Sequence, residues 1–244
     1  MSGSKYQRIL LKLSGEFLFD FKGHAKPKDA LATILEQIEK AHREGVQLAA
    51  VLCGGNICRG RTIMRSGAHR LTADNVGMLA TVINALVFKD ILEAKGISTR
   101  LYSAFPVANM VNVFEPQRVM DDLYHNRFVI CCGGTGNPLV STDTAASLRA
   151  IQIEADAILK VTNVKGVYSE DPMQHPDAKM YEKISHSEVI KQGIEVMDHE
   201  AFRQCQMFGM PIHIAHHNEE NLLLRIINGE PVGTKIYPDG DSVC

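Results

Sequence analysis

The 244-residue sequence has almost no net charge: 26 Lys and Arg stand against 28 Asp and Glu, a formal −2 at pH 7. No broad field therefore steers the chain onto nucleic acid or an acidic membrane surface, and any polyanion it binds must be held by local groups. Prolines number 9, and a content of 45% hydrophobic and 22% charged residues excludes a collagen-like, disordered or coiled-coil chain. No run reaches the roughly 18 consecutive apolar residues of a membrane span, and Met1-Ser-Gly-Ser-Lys5 holds no apolar signal core. A cytoplasmic protein without membrane or nucleic-acid partners is expected. The 6 cysteines, Cys53, Cys58, Cys131, Cys132, Cys205 and Cys244, form no Cys-x-x-Cys pair and sit mostly in apolar runs. That is the pattern of buried thiols in a reducing compartment, not of a disulfide framework or a cysteine metal site.

Also missing are a linker rich in Gly, Ser or Pro, an internal repeat and a low-complexity tract. At roughly 150 residues per domain the length allows one domain or two. The reading is a single two-lobed domain, residues 1–150 forming the first lobe and residues 151–244 the second.

What is present is an alternation of short apolar runs with helical spacing. Strands are expected at residues 8–13, 46–53, 97–102, 128–132 and 157–161, and helices at 29–43, 117–124 and 142–154. Between the second and third strands, Thr72 is placed to cap a long helix whose Val76, Leu79, Ala80, Ile83, Leu86 and Val87 share one face. Beyond lie a hairpin around Lys165-Gly166, a helix at 198–207, a strand at 211–215 and a short helix at 219–227. This order describes an open α/β sheet, parallel at its centre, which places its ligands at the carboxyl ends of the strands. Those ends carry Ser14-Gly15, Gly54-Gly55-Asn56, Gly133-Gly134-Thr135-Gly136-Asn137 and Thr162-Asn163-Val164-Lys165-Gly166.

Glycine loops at strand ends present backbone N–H groups to phosphate without a large excess of basic residues, although glycine there equally serves a turn with positive φ. The common phosphate signatures are absent: there is no Gly-x-x-x-x-Gly-Lys-[Ser/Thr], and Gly134-Thr-Gly136-Asn-Pro-Leu139 lacks the last glycine of Gly-x-Gly-x-x-Gly. Lys12 stands between Leu11 and Leu13, where an ammonium needs a partner or a ligand unless the strand lies at an exposed edge. Arg59 follows the second loop closely enough to swing back and grip a phosphate, or else remains a solvated surface arginine. Asp74, Asp143 and Asp171 lie at helix starts or in loops, suited either to capping or to ribose hydroxyls and phosphate-bound Mg²⁺. His213, His216 and His217 end a strand without metal-binding partners elsewhere, and Met78, Met110 and Met120 fit core packing.

The motifs Lys12-Leu-Ser-Gly-Glu16, Gly54-Gly-Asn-Ile-Cys-Arg-Gly60, Asp74-Asn-Val-Gly-Met-Leu-Ala-Thr81, Gly134-Thr-Gly-Asn-Pro138, Thr142-Asp-Thr-Ala-Ala146 and Lys160-Val-Thr-Asn-Val-Lys-Gly-Val-Tyr-Ser-Glu-Asp-Pro172 span almost the whole chain. In this order they resemble the bacterial uridylate (UMP) kinases, a family with the amino acid kinase fold. The resemblance implies a three-layer α/β sandwich around a mostly parallel sheet, and transfer of the γ-phosphoryl of ATP to UMP with Mg²⁺ bound through the nucleotide phosphates. It implies that Lys12, Leu13, Ser14, Gly15, Gly55 and Arg59 face the ATP phosphates, while Thr162, Tyr168 and Asp171 hold the nucleoside end of ATP. It implies a UMP site formed by Gly54, Asp74, Thr135, Gly136, Asn137, Pro138, Leu139, Val140, Ser141 and Thr142. Lys12, Arg59 and Asp143 would be the catalytic group, with Asp143 orienting the lysine or the metal. The first lobe would then carry UMP and the phosphate loops, and the second lobe ATP. A homohexamer of dimers packed through the long helix after Asp74, with GTP activating and UTP inhibiting, is implied as well. Three features depart from the family pattern: Cys53 replaces a third glycine, Leu139-Val-Ser141 replaces an aromatic and threonine-rich stretch, and the tail to Cys244 has no counterpart.

A phosphate monoester acceptor, with a second pKa of about 6, is already ionised at neutral pH and needs no general base. The lack of an evident catalytic His or Glu fits such an acceptor, and catalysis would rest on positioning and charge neutralisation. Within the same fold, a carbamate, acetylglutamate or aspartate kinase would keep Lys12 but lack Asp74 and the 134–142 segment. A non-catalytic nucleotide-binding regulator would not need Lys12 and Arg59, and an NAD-dependent oxidoreductase would need the missing dinucleotide fingerprint.

Overall fold

A nine-stranded sheet runs through the computed structural model of the chain, which describes residues 5–15, 28–170, 174–175 and 177–239. In chain order the elements are β1 (Arg8–Leu13), α1 (Lys28–Arg43), β2 (Gln47–Leu52), α2 (Gly60–Arg65), α3 (Arg70–Ala94), β3 (Thr99–Ser103), β4 (Asn112–Val113), α4 (Pro116–Tyr124), β5 (Phe128–Cys132), α5 (Thr142–Gln152) and β6 (Ala157–Thr162). They continue as β7 (Val167–Tyr168), β8 (Met180–Tyr181), β9 (Lys183–Ser185), α6 (His186–Lys191), α7 (His199–Met207), β10 (Ile212–His216), α8 (Leu222–Ile227) and β11 (Thr234–Tyr237). The strand order is β4-β3-β5-β2-β1-β6-β10-β11-β9, and every pairing in it is parallel except β10 with β11. β7 and β8 form a separate antiparallel hairpin.

The central strands are continuous apolar runs because helices cover both faces of the sheet. In β1, Ile9, Leu11 and Leu13 enter a layer built with Ile34 and Ile38 of α1, Phe88 and Leu92 of α3 and Leu223 and Ile226 of α8. Leu10 turns the other way, toward Val119 of α4, Ala146 of α5 and Phe202 of α7. The result is a three-layer sandwich. Local chemistry sets the helix starts: Pro116 opens α4, Ser141 caps α5, Ser185 and Glu188 form a capping box on α6, and Asp198 caps α7.

Several expectations need correction. Thr72 lies inside α3, whose N-cap residue is His69, with no side-chain cap. The apolar face from Val76 to Ile83 is not the buried one: Val76, Leu79 and Ile83 point outward, while Val82, Ala85, Phe88 and Leu92 meet the sheet and Ala80 packs on the Gly54 loop. Among the described residues α3 is the one helix long and apolar enough on composition to cross a membrane, with a mean hydropathy of 1.5 over its most apolar window. Here it lies along the sheet instead. Met110 is 64% exposed and packs in no core, and the last helix starts at Leu222, after Asn221 takes a φ of 49°. Of the cysteines, Cys131, Cys132 and Cys205 are buried, their thiols pushed up to about 12 by desolvation, whereas Cys53 and Cys58 are half-buried. Glu16, Asp171 and Cys244 lie outside the described residues.

Candidate active site

β1 is central, flanked by β2 and β6, so Lys12 has no exposed edge to escape to and is 8% exposed. In register beside it stands Lys160 of β6. Two ammoniums on neighbouring strands repel each other, and the first turn of α5 supplies the remedy. Nζ of Lys12 lies 2.7 Å from Oδ1 of Asp143, and Nζ of Lys160 lies 3.1 and 3.0 Å from Oδ1 and Oδ2. Lys160 also donates to the Val196 carbonyl at 2.6 Å.

This buried cluster carries one excess positive charge. Burial by itself would raise the pKa of Asp143, but the two ammoniums override it and hold the carboxyl below its ordinary value. Desolvation would likewise strip Lys12 of its proton, yet the Cys53 sulfur and the Asp143 carboxylate reverse that and lift its pKa. For Lys160, burial and repulsion from Lys12 outweigh Asp143, and its pKa falls. Lys12 is therefore the permanently charged member. The sequence reading does not single out Lys160, although it shows the signal that singles out Lys12, a lysine within an apolar strand.

At the neighbouring strand ends a cleft of about 410 Å³ is lined by Gly54, Gly55, Arg59, Asp74, Asn137, Val140 and Thr142, together with Cys53. Cys53 Sγ lies 3.1 Å from the Thr142 hydroxyl, which joins the cleft to the start of α5. Neither Asp74 nor Asp143 is an N-cap. Asp74 accepts from Leu139 N at 2.9 Å and from Arg70 Nε at 3.0 and 2.9 Å, tying the 133–142 loop to α3. Thr135, Gly136, Pro138, Leu139 and Ser141 belong to this loop but do not line the cleft. Ser141 accepts from Asp143 N and Thr144 N and donates to Asp198, while Asp198 also accepts from Thr144 Oγ1 at 2.9 Å and Ala201 N at 2.9 Å.

Two glycine positions show why the loops cannot carry side chains. Gly133 sits at φ 74°, and a Cβ there would come within 2.8 Å of Ser103 Oγ. A Cβ on Gly54 would meet Ala80 Cβ and Gly77 O at 2.8 Å, so this loop lies directly on α3. Gly55 differs, facing only the Arg59 side chain 3.8 Å away; this is the open side where an anion can reach backbone and guanidinium together. The loop is held by a buried amide clamp absent from the sequence reading: Asn84 Nδ2 donates to Cys53 O at 2.6 Å and Asn56 Oδ1 at 2.8 Å, and Asn56 Nδ2 donates back at 3.1 Å.

Other expected residues are placed differently. The Leu13 side chain is wholly in the core, and Gly15 is packed against Asn56, Cys53 and Asn84. Thr162 ends β6, and Tyr168 pairs with Met180 in the hairpin. In the strand order, Lys12 on β1 stands between the cleft at the end of β2 and Thr162 at the end of β6. His213 is buried against Tyr6, and His216 stacks on His217 with centroids 4.3 Å apart. Among the described residues, no three His, Cys, Asp or Glu side chains converge to hold a metal ion.

A buried lysine pair bridged by a carboxylate, set at the carboxyl ends of a parallel sheet among glycine-rich loops, defines a phosphotransferase of the amino acid kinase class. The family model described as the amino acid kinase family matches residues 7–216, and the chain belongs to that family. Within it the chain groups with the uridylate kinases. It is 42% identical to a uridylate kinase of Coxiella burnetii over 231 residues, 95% of each chain, and 42% identical to one of Legionella pneumophila over 237 residues, 97% of this chain and 96% of that one. The crystal structure of a UMP kinase from Bacillus anthracis superposes with a TM-score of 0.91 at 35% identity, covering 96% of this chain and 97% of that one. That of a UMP kinase from Ureaplasma parvum gives 0.87 at 30% identity, covering 96% and 99%.

Proposed function

We propose that the chain transfers the γ-phosphoryl group of ATP to UMP, giving ADP and UDP. The observation that carries this reading is the Lys12–Asp143–Lys160 cluster at the junction of β1 and β6. On one side of it lies the cleft with Arg59 and Asp74, and on the other the β6 end with Thr162 and the hairpin with Tyr168. UMP occupies the cleft, held by Asp74 and by Asn137, Val140 and Thr142 of the 133–142 loop, and the ATP nucleoside lies beyond β6, so the acceptor lobe is residues 1–150 and the donor lobe 151–244. The ATP phosphates lie over Lys12, Ser14, Gly15 and Gly55.

An ionised UMP phosphate attacks without a general base. The protein contributes alignment and positive charge as the transferring group loosens. Lys12 supplies a fixed ammonium, Arg59 a guanidinium beside Gly55, and Asp143 holds Lys12 in place. Among the described residues the two carboxylates beside the phosphate path are already engaged, Asp143 by two ammoniums and Asp74 by Arg70 and Leu139 N. These residues fit a Mg²⁺ ion that arrives on the ATP phosphates, where it supplies further charge neutralisation.

The outward apolar row Val76, Leu79 and Ile83 on α3 supports association of copies through that helix, as in the implied homohexamer. GTP activation, UTP inhibition, a role in pyrimidine nucleotide synthesis and a cytoplasmic location complete the reading. An acceptor panel of UMP, CMP, dTMP, carbamate and aspartate with Mg·ATP tests it. UMP should be the preferred acceptor; turnover of carbamate or aspartate alone would assign another reaction, and no turnover at all a binding protein.

A further inference from the structure

One row of paired residues crosses the sheet on the face covered by α1 and α8: Leu11, Leu159, His213, Lys235 and Lys183. The first two are buried under the helices. His213 is buried where helical cover ends and Lys235 and Lys183 reach outward, and the three line a cavity of about 530 Å³ with Lys5, Tyr6 and Tyr237. Lys5 and Tyr6 precede β1, and Lys5 N donates to the Ile227 carbonyl at 2.9 Å. The cavity thus opens toward the amino ends of the parallel strands, away from the candidate active site.

Its charge is unbalanced. Lys183 and Lys235 are direct cross-strand neighbours, an unfavourable placement for two like charges. Lys5 and Lys235 each hold an ammonium 5.8 Å from the centroid of the Tyr6 ring. Lys235 Nζ donates to Tyr6 Oη at 3.1 Å, and Tyr6 Oη lies 3.2 Å from His213 Nε2. Among the described residues none of the three lysines has a carboxylate partner. Of the two acids on the rim, Glu230 is taken by Arg225 at 3.1 Å, leaving Glu182 against three ammoniums. Burial together with Lys235 and Lys5 keeps His213 neutral, so it offers a hydrogen bond and a ring and no further charge.

We propose that this cavity binds a phosphorylated ring compound of mononucleotide size, its phosphate among Lys5, Lys183 and Lys235 and its ring against Tyr237, which is 38% exposed. An anion between the lysines relieves their mutual repulsion, Tyr237 offers a flat apolar wall, and the volume falls within the roughly 300–1,000 Å³ of small-molecule sites. GMP is a suitable probe, with inorganic phosphate and guanosine as its separate halves, measured by equilibrium dialysis on the full chain. GMP should bind more tightly than either half. The Lys183→Glu, Lys235→Glu double variant should weaken it by roughly tenfold or more while turning over UMP normally, which also shows that the variant folds. Tyr237→Ala should weaken GMP and spare phosphate. Failure of GMP to bind, loss of its binding on Asp74→Asn but not on the lysine substitutions, or equal affinity for phosphate and GMP would each overturn the proposal.

Discussion

Replacing Asp143 with Asn keeps the shape of the side chain and removes the charge that holds Lys12 and Lys160 together. At an effective dielectric of about 20, unit charges at the observed 2.7 and 3.0 Å attract by about 6 and about 5.5 kcal/mol. Much of this offsets the desolvation of side chains that are only 10%, 16% and 12% exposed. The net loss on removing the partner is about 3–5 kcal/mol. Its pH dependence follows from Lys160, whose pKa is already lowered. Without Asp143 that pKa falls further, so the folded protein gives up the proton at a lower pH than the unfolded chain does. The unfolded state then binds more protons, so the stability of the variant rises with pH. The gap to the parent protein should be widest near neutral pH and narrow toward about pH 10, as read from urea melts followed by circular dichroism. Turnover in a coupled ADP-release assay should fall by about 10²–10³-fold because Lys12 loses its fixed position. Adding Lys160→Met removes the buried amine whose charged form the fold disfavours and should recover roughly 2 kcal/mol without recovering turnover. A single variant that melts like the parent, or a double variant no more stable than the single, would refute the charge argument.

Lys12→Ala should keep the fold and lose most turnover, since it removes charge stabilisation of the transferring group; near-parental ADP release would count against that role. Asp74→Asn frees the 133–142 loop from α3 and should raise the KM for UMP about tenfold with little change for ATP, so equal losses for both would move Asp74 out of the acceptor site. Gly133→Ala forces a side chain into a left-handed position against Ser103 and should cost about 2 kcal/mol or more in a urea melt. His213 is held down to about 4 by burial, Lys235 and Lys5, below an ordinary value of about 6.5. Between those values the unfolded chain takes up a proton that the native state refuses, so stability should fall as pH drops through that window, by up to about 3 kcal/mol. His213→Gln should flatten the slope, and an unchanged slope would place its cause elsewhere.

The order of the main elements was legible in the sequence because burial is written residue by residue in the apolar period. Runs such as Arg8–Leu13 and Phe128–Cys132 need no partner to be recognised as strands covered on both faces. β4, β8, β9 and β11 span four residues or fewer, too short for any period to show, and their existence depends on the neighbour they pair with. α3 shows the same limit from another side: its length is evident, but an apolar stripe does not say which flank meets the sheet. At the site, the sequence alone marked Lys12 as an ammonium in need of a partner, and the motif order marked the loops around it. Which partner it has, that Lys160 shares it, and that Asn84 and Asp198 hold the loops were decided by tertiary packing. Those contacts join groups far apart along the chain, and their energies arise only when folding removes them together from water.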